Sequence, residues 1–196
     1  MKYIKFFAVL LFPIIFQACT ATSYITDWRD PSFSGTIKKV MVVALMKDFE
    51  YRLSYESEIA NILKEAGVDA ETSMNLLGVE NKLSKEELIY ILEKGNFDAM
   101  LAVKYTGSKS YTTYMPFGSF YSWYSSGFDY MYSSGYVERH TQVNTEAILY
   151  TKNSEDAVWF ASIETTNAYS REDLTKSLAL KIANSLIDNA IIKYSK

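Results

Sequence analysis

Cys19 and His140 are the sole cysteine and histidine of the chain, so the side chains best suited to nucleophilic, acid–base and metal chemistry are nearly absent. A Ser-His-Asp arrangement needs a positioned imidazole. His140 lies between Glu138 and Gln142 in a strand-like stretch, with no nucleophile signature such as GxSxG, and reads as a surface or cross-strand histidine. Zinc would need several His or Cys ligands, and no calcium loop of the Asp-x-Asp-x-Asp-Gly kind is present. Paired carboxylates could serve a glycosidase. Glu138 and Glu146 fall on one strand face, but at about 3.3 Å per residue they would stand about 26 Å apart; Glu146 and Glu164 could meet across a hairpin whose register the sequence leaves open. Arg52 and Glu56, four apart on a helix, read as a surface ion pair worth a few tenths of a kcal/mol. Gly107-Ser108-Lys109-Ser110 has the tail of a phosphate loop without its earlier glycine. The reading is of a non-enzyme: no catalytic residue, no metal site and no cofactor are expected.

Cys19 has a different use. Lys2 and Lys5 open the chain, residues 6–16 are apolar apart from the break at Pro13, and small residues surround the cysteine. The apolar run is too short to span a bilayer, which takes roughly 20 residues, and fits a secretory signal. Phe16-Gln17-Ala18-Cys19 resembles a bacterial lipobox, although Phe16 and Gln17 are bulkier than usual. The resemblance implies cleavage after residue 18, diacylglycerol on the Cys19 sulfur and further acylation of the new amino group, which together hold a protein stably to a membrane. Thr20 is not the aspartate that retains many such proteins in the inner membrane, which by analogy favours the periplasmic face of the outer membrane. The expected organisation is a signal peptide over 1–18, a lipidated tether over 19–35 and one domain over 36–196. Net charge is −3 before the two signal lysines leave, so no broad basic patch for nucleic acid exists.

The domain must be built from the periodic stretches. Residues 37–46 are a Val-rich apolar run with the length of a buried strand. Asp48 caps a helix marked by Tyr55, Ile59, Ile62, Leu63 and Ala66, with Gly67 as its stop. Residues 68–72 read as a short strand. Ser84 and Glu87 form a capping box, Leu88, Ile91 and Leu92 the stripe behind it, and Gly95 its end. Residues 97–105 read as a third strand. Residues 136–150 alternate, with Glu138, His140, Gln142, Asn144 and Glu146 on a wet face. Residues 157–165 are the hairpin partner, with Trp159, Ala161 and Ile163 on one side. Ser170 caps a last helix striped by Leu174, Leu178, Ile182 and Leu186. The expected fold is a single α/β (α+β) domain: a mixed sheet of about five strands in β-α-β-α-β-β-β order, with parallel pairing in its first half and a C-terminal helix packed on it.

An aromatic-rich insertion over 108–136 interrupts that plan. From 111 to 136 there are seven Tyr, three Phe and one Trp, with Asp129 the only charge. Such a stretch would be a liability hanging in water. It could fold back on its own sheet, present Tyr and Trp to a protein or glycan partner, or touch lipid. Runs 117–124 and 128–132 flank Ser125-Ser126-Gly127 and could form a hairpin. The candidate partner-binding residues are Tyr114, Phe120, Tyr121, Trp123, Tyr124, Phe128, Tyr130 and Tyr132.

Trp28-Arg29-Asp30-Pro31, Lys39-Val40-Met41-Val42-Val43, Arg52 and Glu56, Ala66-Gly67-Val68, Phe97-Asp98-Ala99-Met100-Leu101 and Val158-Trp159 together resemble a family of small uncharacterised bacterial envelope lipoproteins. The element order is also similar to the amino-terminal domain of TolB, to the curli secretion lipoprotein and to lipoprotein activators of penicillin-binding proteins. That resemblance implies an accessory or binding role in the envelope, with an envelope protein or peptidoglycan as partner, and a structural role for Arg52 and Glu56. The rival expectations are an enzyme acting on cell-wall glycan or peptide, and a self-assembling secretion pore.

Overall fold

The computed structural model describes residues 20–78, 82–107, 120–133, 142–152, 156–166 and 170–193; for residue 120 and for 130–133 it describes the backbone alone. Its element order is β1 (Ala21–Arg29), β2 (Lys39–Leu45), α1 (Phe49–Glu65), β3 (Asp69–Thr72), α2 (Ser73–Leu77), α3 (Lys85–Lys94), β4 (Ala99–Gly107), α4 (Phe120–Ser133), β5 (Gln142–Thr151), β6 (Ala157–Thr166) and α5 (Arg171–Asp188).

The six strands form one mixed sheet in the order β1-β6-β5-β4-β2-β3. β2 runs parallel to both β3 and β4, and the remaining pairs are antiparallel. From β2 the chain steps one way to β3 through α1, then back past β2 to β4 through α2 and α3. Connections of one hand that step in opposite directions must lie on opposite faces. α1 accordingly packs on one face and α3 on the other.

Each helix begins where its sequence says. Asp48 accepts the Tyr51 amide, Ser84 and Glu87 complete the capping box of α3, and Ser170 accepts the Asp173 amide. On the first face, Tyr55, Ile59 and Leu63 of α1 and Leu178, Ile182 and Leu186 of α5 close over Val42, Leu101, Leu149 and Trp159. Fully burying each aliphatic side chain is worth about 1.5–3 kcal/mol, so this face is the larger part of the core. On the second face, Leu88 and Leu92 of α3 and Trp123, Tyr124 and Phe128 of α4 cover Met41, Val43, Met100, Ile148, Tyr150 and Phe160.

Two expectations need correction. The stretch read as a tether over 19–35 supplies β1, a nine-residue edge strand paired with β6. Its polar alternation hid a strand because one row of its side chains faces water. A bulge between Tyr24 and Thr26 shifts the alternation by one residue. Tyr24 therefore packs on the first face and Trp28, four residues on, on the second. The expected wet face of residues 136–150 is also covered: Asn144, Ile148 and Tyr150 of β5 are buried, Tyr150 with only 1% exposure, because α4 lies over them. Glu138 and His140 lie outside the described residues.

Candidate functional site

The aromatic segment is a helix where described, and not the hairpin that the two runs flanking Ser125-Ser126-Gly127 suggested. α4 places Trp123, Tyr124, Gly127 and Phe128 toward the sheet, a pattern with the 3.6-residue period of a helix. Ser and Gly, poor helix formers, masked that period; packing overrides their weak propensity. Gly127 is required by closeness: a Cβ there would stand 2.6 Å from Leu45 Cδ1. Trp123 and Tyr150 stack with ring centres 6.4 Å apart, and Tyr124 and Phe128 at 6.0 Å. Tyr121, half-buried, sits 6.3 Å from Tyr124.

Two charge contacts pin this helix. Lys104 of β4 lies 4.8 Å above the Trp123 ring and pairs with Glu146 of β5 at 2.9 Å. Lys82, just ahead of α3, pairs with Asp129 at 2.6 Å. Among the expected contact residues, Trp123, Tyr124 and Phe128 are thus at most 7% exposed and fasten α4 to the sheet. Phe120, Tyr130 and Tyr132 occupy α4 positions, and Tyr114 and Cys19 lie outside the described residues.

Arg52 and Glu56 are not the surface pair their spacing suggested. Glu56 is wholly buried and Arg52 only 9% exposed. β3 ends at Thr72 while β2 continues to Leu45, so beyond Val42 the backbone of β2 is paired with β4 on one side and has no strand beside it on the β3 side. The Glu56 carboxylate fills the gap. Its Oε1 accepts from the Ala44 amide at 3.0 Å, from Ser73 Oγ at 2.7 Å and from Arg52 Nε at 3.2 Å; its Oε2 accepts from the Met74 amide at 2.9 Å. Arg52 Nη2 also donates to Ser73 Oγ at 3.1 Å. A buried carboxylate is tolerable when its lone pairs are this fully used. The i, i+4 spacing located the pair, but Ser73 and the two amides, far apart in sequence, gave no signal.

A second polar cluster ties β1 to the last helix. Trp159 Nε1 donates to Asp27 Oδ1 at 3.0 Å and Ser185 Oγ at 2.9 Å, and Ser185 Oγ donates to Asp27 Oδ2 at 2.8 Å. Tyr24 donates its phenol proton to the Lys181 carbonyl at 2.6 Å. Burial first, with the Asp27 charge adding to it and the Ser185 contact opposing it, pushes the Tyr24 phenol up to about 12.

The candidate carboxylates Glu146 and Glu164 share one sheet face, and each is engaged by a partner of its own. The β5–β6 register sets Glu146 opposite Ser162 and Glu164 opposite Asn144, so the two are diagonal neighbours with separate partners: Lys104 for Glu146, and the Gln142 amide, which donates to Glu164. Among the described residues no group of three or more His, Cys, Asp or Glu side chains is placed to hold a metal ion, and no helix is long and apolar enough to cross a membrane.

No family model and no curated protein matches this sequence. Solved structures do. The chain is similar to the PelC dodecamer from Paraburkholderia phytofirmans at TM-score 0.50 and 15% identity, over 86% of this chain and 97% of that one. A single-residue variant of that dodecamer matches at TM-score 0.50 and 14% identity, over 90% and 100% of the two chains. Lipoprotein GNA1162 from Neisseria meningitidis gives TM-score 0.39 at 15% identity over 76% and 98%. At these identities, what this chain has in common with PelC is the fold alone, over 86–90% of this chain and 97–100% of the other.

Proposed function

We propose that this chain is a lipid-anchored accessory protein of the bacterial cell envelope, held through Cys19 at the periplasmic face of the outer membrane and acting by binding rather than catalysis. The observation that carries the reading is the junction at Cys19. A secretory signal ends in a lone, lipobox-like cysteine, and Thr20 alone separates it from a folded domain. The polar clusters around Glu56 and Asp27 support the same reading, since both are consumed in holding elements together.

The contact surface in this reading is built from the remaining aromatics of this segment: Tyr114, Phe120, Tyr121, Tyr130 and Tyr132. Trp123, Tyr124 and Phe128 seat that surface from beneath. Tyrosine suits the task because its ring is rigid and amphipathic, so little side-chain entropy is lost on contact. A photo-crosslinking residue at Tyr121 should capture an envelope protein or peptidoglycan in cells, whereas the same probe at exposed Leu180 of α5 should not. Equal capture at both positions would remove the binding assignment.

Assembly of several copies is a second reading, favoured by the dodecameric state of PelC. Mass in mild detergent separates it from the first: a discrete multiple of the chain mass supports it, and a monomer rules it out. A cell-wall enzyme is the weaker alternative, because Glu146 and Glu164 are each engaged by a partner of their own.

A further inference from the structure

The strand registers bring the anchor and three exposed apolar side chains to the same end of the sheet. Ala21 of β1 pairs with Thr166 of β6, which pairs with Gln142 of β5. Asn144 pairs with Gly107 of β4, and β4 runs parallel to β2 and β3. Ala21, Thr166, Gln142, Gly107, Leu45 and Thr72 therefore mark one end. Cys19 is two residues before Ala21, so its Cα lies within about 7 Å of the strand. A fatty chain on Cys19 holds the β1 corner of this end close to a bilayer.

This end presents exposed apolar side chains among charged ones, Lys47, Asp48 and Glu50 flanking Phe49. Phe49 opens α1 just beyond Leu45, and Leu53 follows one turn later on the same helix face. Leu76 sits on α2, which starts directly after Thr72. They are 46%, 42% and 38% exposed. They account for half of the six large apolar side chains exposed among the described residues. Of the others, Tyr90 belongs to the last turns of α3, toward the opposite end, where Lys94 stacks on its ring at 5.5 Å. Ile25 and Leu180 lie within β1 and α5. The Glu56 cluster fixes the patch as a unit. The carboxylate sits three residues after Leu53 on α1 and holds the Met74 amide two residues before Leu76.

We infer that this end is a bilayer-docking surface, in which Phe49, Leu53 and Leu76 enter the acyl–headgroup boundary across the sheet from the Cys19 lipid, four to five strand spacings or about 19–24 Å away, and as a second contact fix the domain's orientation on the membrane. The inference rests on the lipid anchor proposed above and adds which way the domain faces. The acyl chains on Cys19 set attachment, and apolar side chains at the interface add to membrane binding in proportion to the area they bury. The free end of the sheet, with Arg29 and Lys152, then points away from the membrane, and the exposed edge of β1 stands along the membrane normal.

The test uses the full chain, expressed with its signal and reconstituted in phosphatidylethanolamine–phosphatidylglycerol vesicles. Acylated Cys19 leaves no free thiol, so Leu53→Cys, Leu76→Cys and Tyr90→Cys each take one fluorescent label at an exposed position. The chain should float with the vesicles, and lipids brominated near the headgroup should quench the labels at 53 and 76 at least twofold more than the label at 90. Flotation with equal quenching at all three sites would overturn the docking surface and leave the anchor intact. Labels at 53 and 76 shielded from water but not quenched by lipid would assign this end to a second copy or a protein partner, and would overturn the inference too. Failure to float would overturn the anchor and the orientation together. Loss of quenching in a Phe49→Ser background that still floats would confirm that the ring helps set the tilt.

Discussion

The sheet face under α1 and α5 and the face under α3 and α4 are held by different physics. On the first, α1 and α5 bury long aliphatic stripes, and each is also tied by a saturated polar cluster: Glu56 joins α1 to β2 and α2, and Ser185 joins α5 to β1 and β6. On the second, α3 and α4 rest on aromatic and thioether packing, with ion pairs at the rim. A stripe of aliphatics with directional hydrogen bonds has one good arrangement. Aromatic packing around Trp123 and Phe128 depends on area and tolerates small shifts. The first face should therefore fail as a whole, and the second helix by helix.

The largest expected effect is at Glu56. Glu56→Ala leaves the Ala44 and Met74 amides without their acceptor and removes the carboxylate that Arg52 and Ser73 share, a situation that costs about 3–5 kcal/mol. Urea denaturation should show the loss as a lower midpoint with both faces unfolding together. A loss below about 1 kcal/mol would mean that the cluster is not what locks the first face. Next is Trp123→Ala, where removing a large core aromatic costs about 3–5 kcal/mol when the whole domain feels it. Here the expected response is local. Hydrogen exchange should speed up across 120–133 and at the α3 contact while α1 and α5 keep their protection. Matched loss on both faces would erase the distinction drawn above.

A smaller effect is expected at Ser185. Ser185→Ala removes the hydroxyl between Trp159 Nε1 and Asp27 but leaves the direct Trp159–Asp27 bond in place, so about 1 kcal/mol should be lost. The smallest effect is alkaline. The Tyr24 phenol is raised from 10 to about 12 in the fold, so the protonated form is favoured there. Its contribution is fully present below pH 10 and is lost as pH rises through about 12. Exchange at β1 amides should accelerate over that window, and Tyr24→Phe should flatten the dependence. An unchanged pH profile in the variant would place the alkaline weakness elsewhere.

The first face was legible in the sequence, because Tyr55, Ile59, Leu63 and Leu174, Leu178, Ile182 keep a helical period and Asp48 and Ser170 mark where those helices start. The parallel order β2, β3, β4 was legible too, since the run at 37–46 is apolar without alternation, as a strand covered on both sides must be. The second face was not. α4 is written in Tyr, Ser and Gly, residues that favour loops or strands, and its period emerges only against Leu45 and Tyr150, which are distant in sequence. β1 was hidden because it is an edge strand with a polar, water-facing row, and because its bulge between Tyr24 and Thr26 moves its apolar side chains from one face to the other. Glu56 illustrates a third limit. Its pairing with Arg52 was local and readable, while its burial depended on where β3 stops beside β2.

Every reading of what the chain does begins at the sulfur of Cys19. The most direct measurement is mass spectrometry of the N-terminal peptide of the chain extracted from membranes. The account predicts a mature chain that begins at Cys19 and carries diacylglycerol on the sulfur and a further acyl group on the new amino nitrogen. A mature chain that begins at any other residue, or a Cys19 with a free thiol, would contradict it.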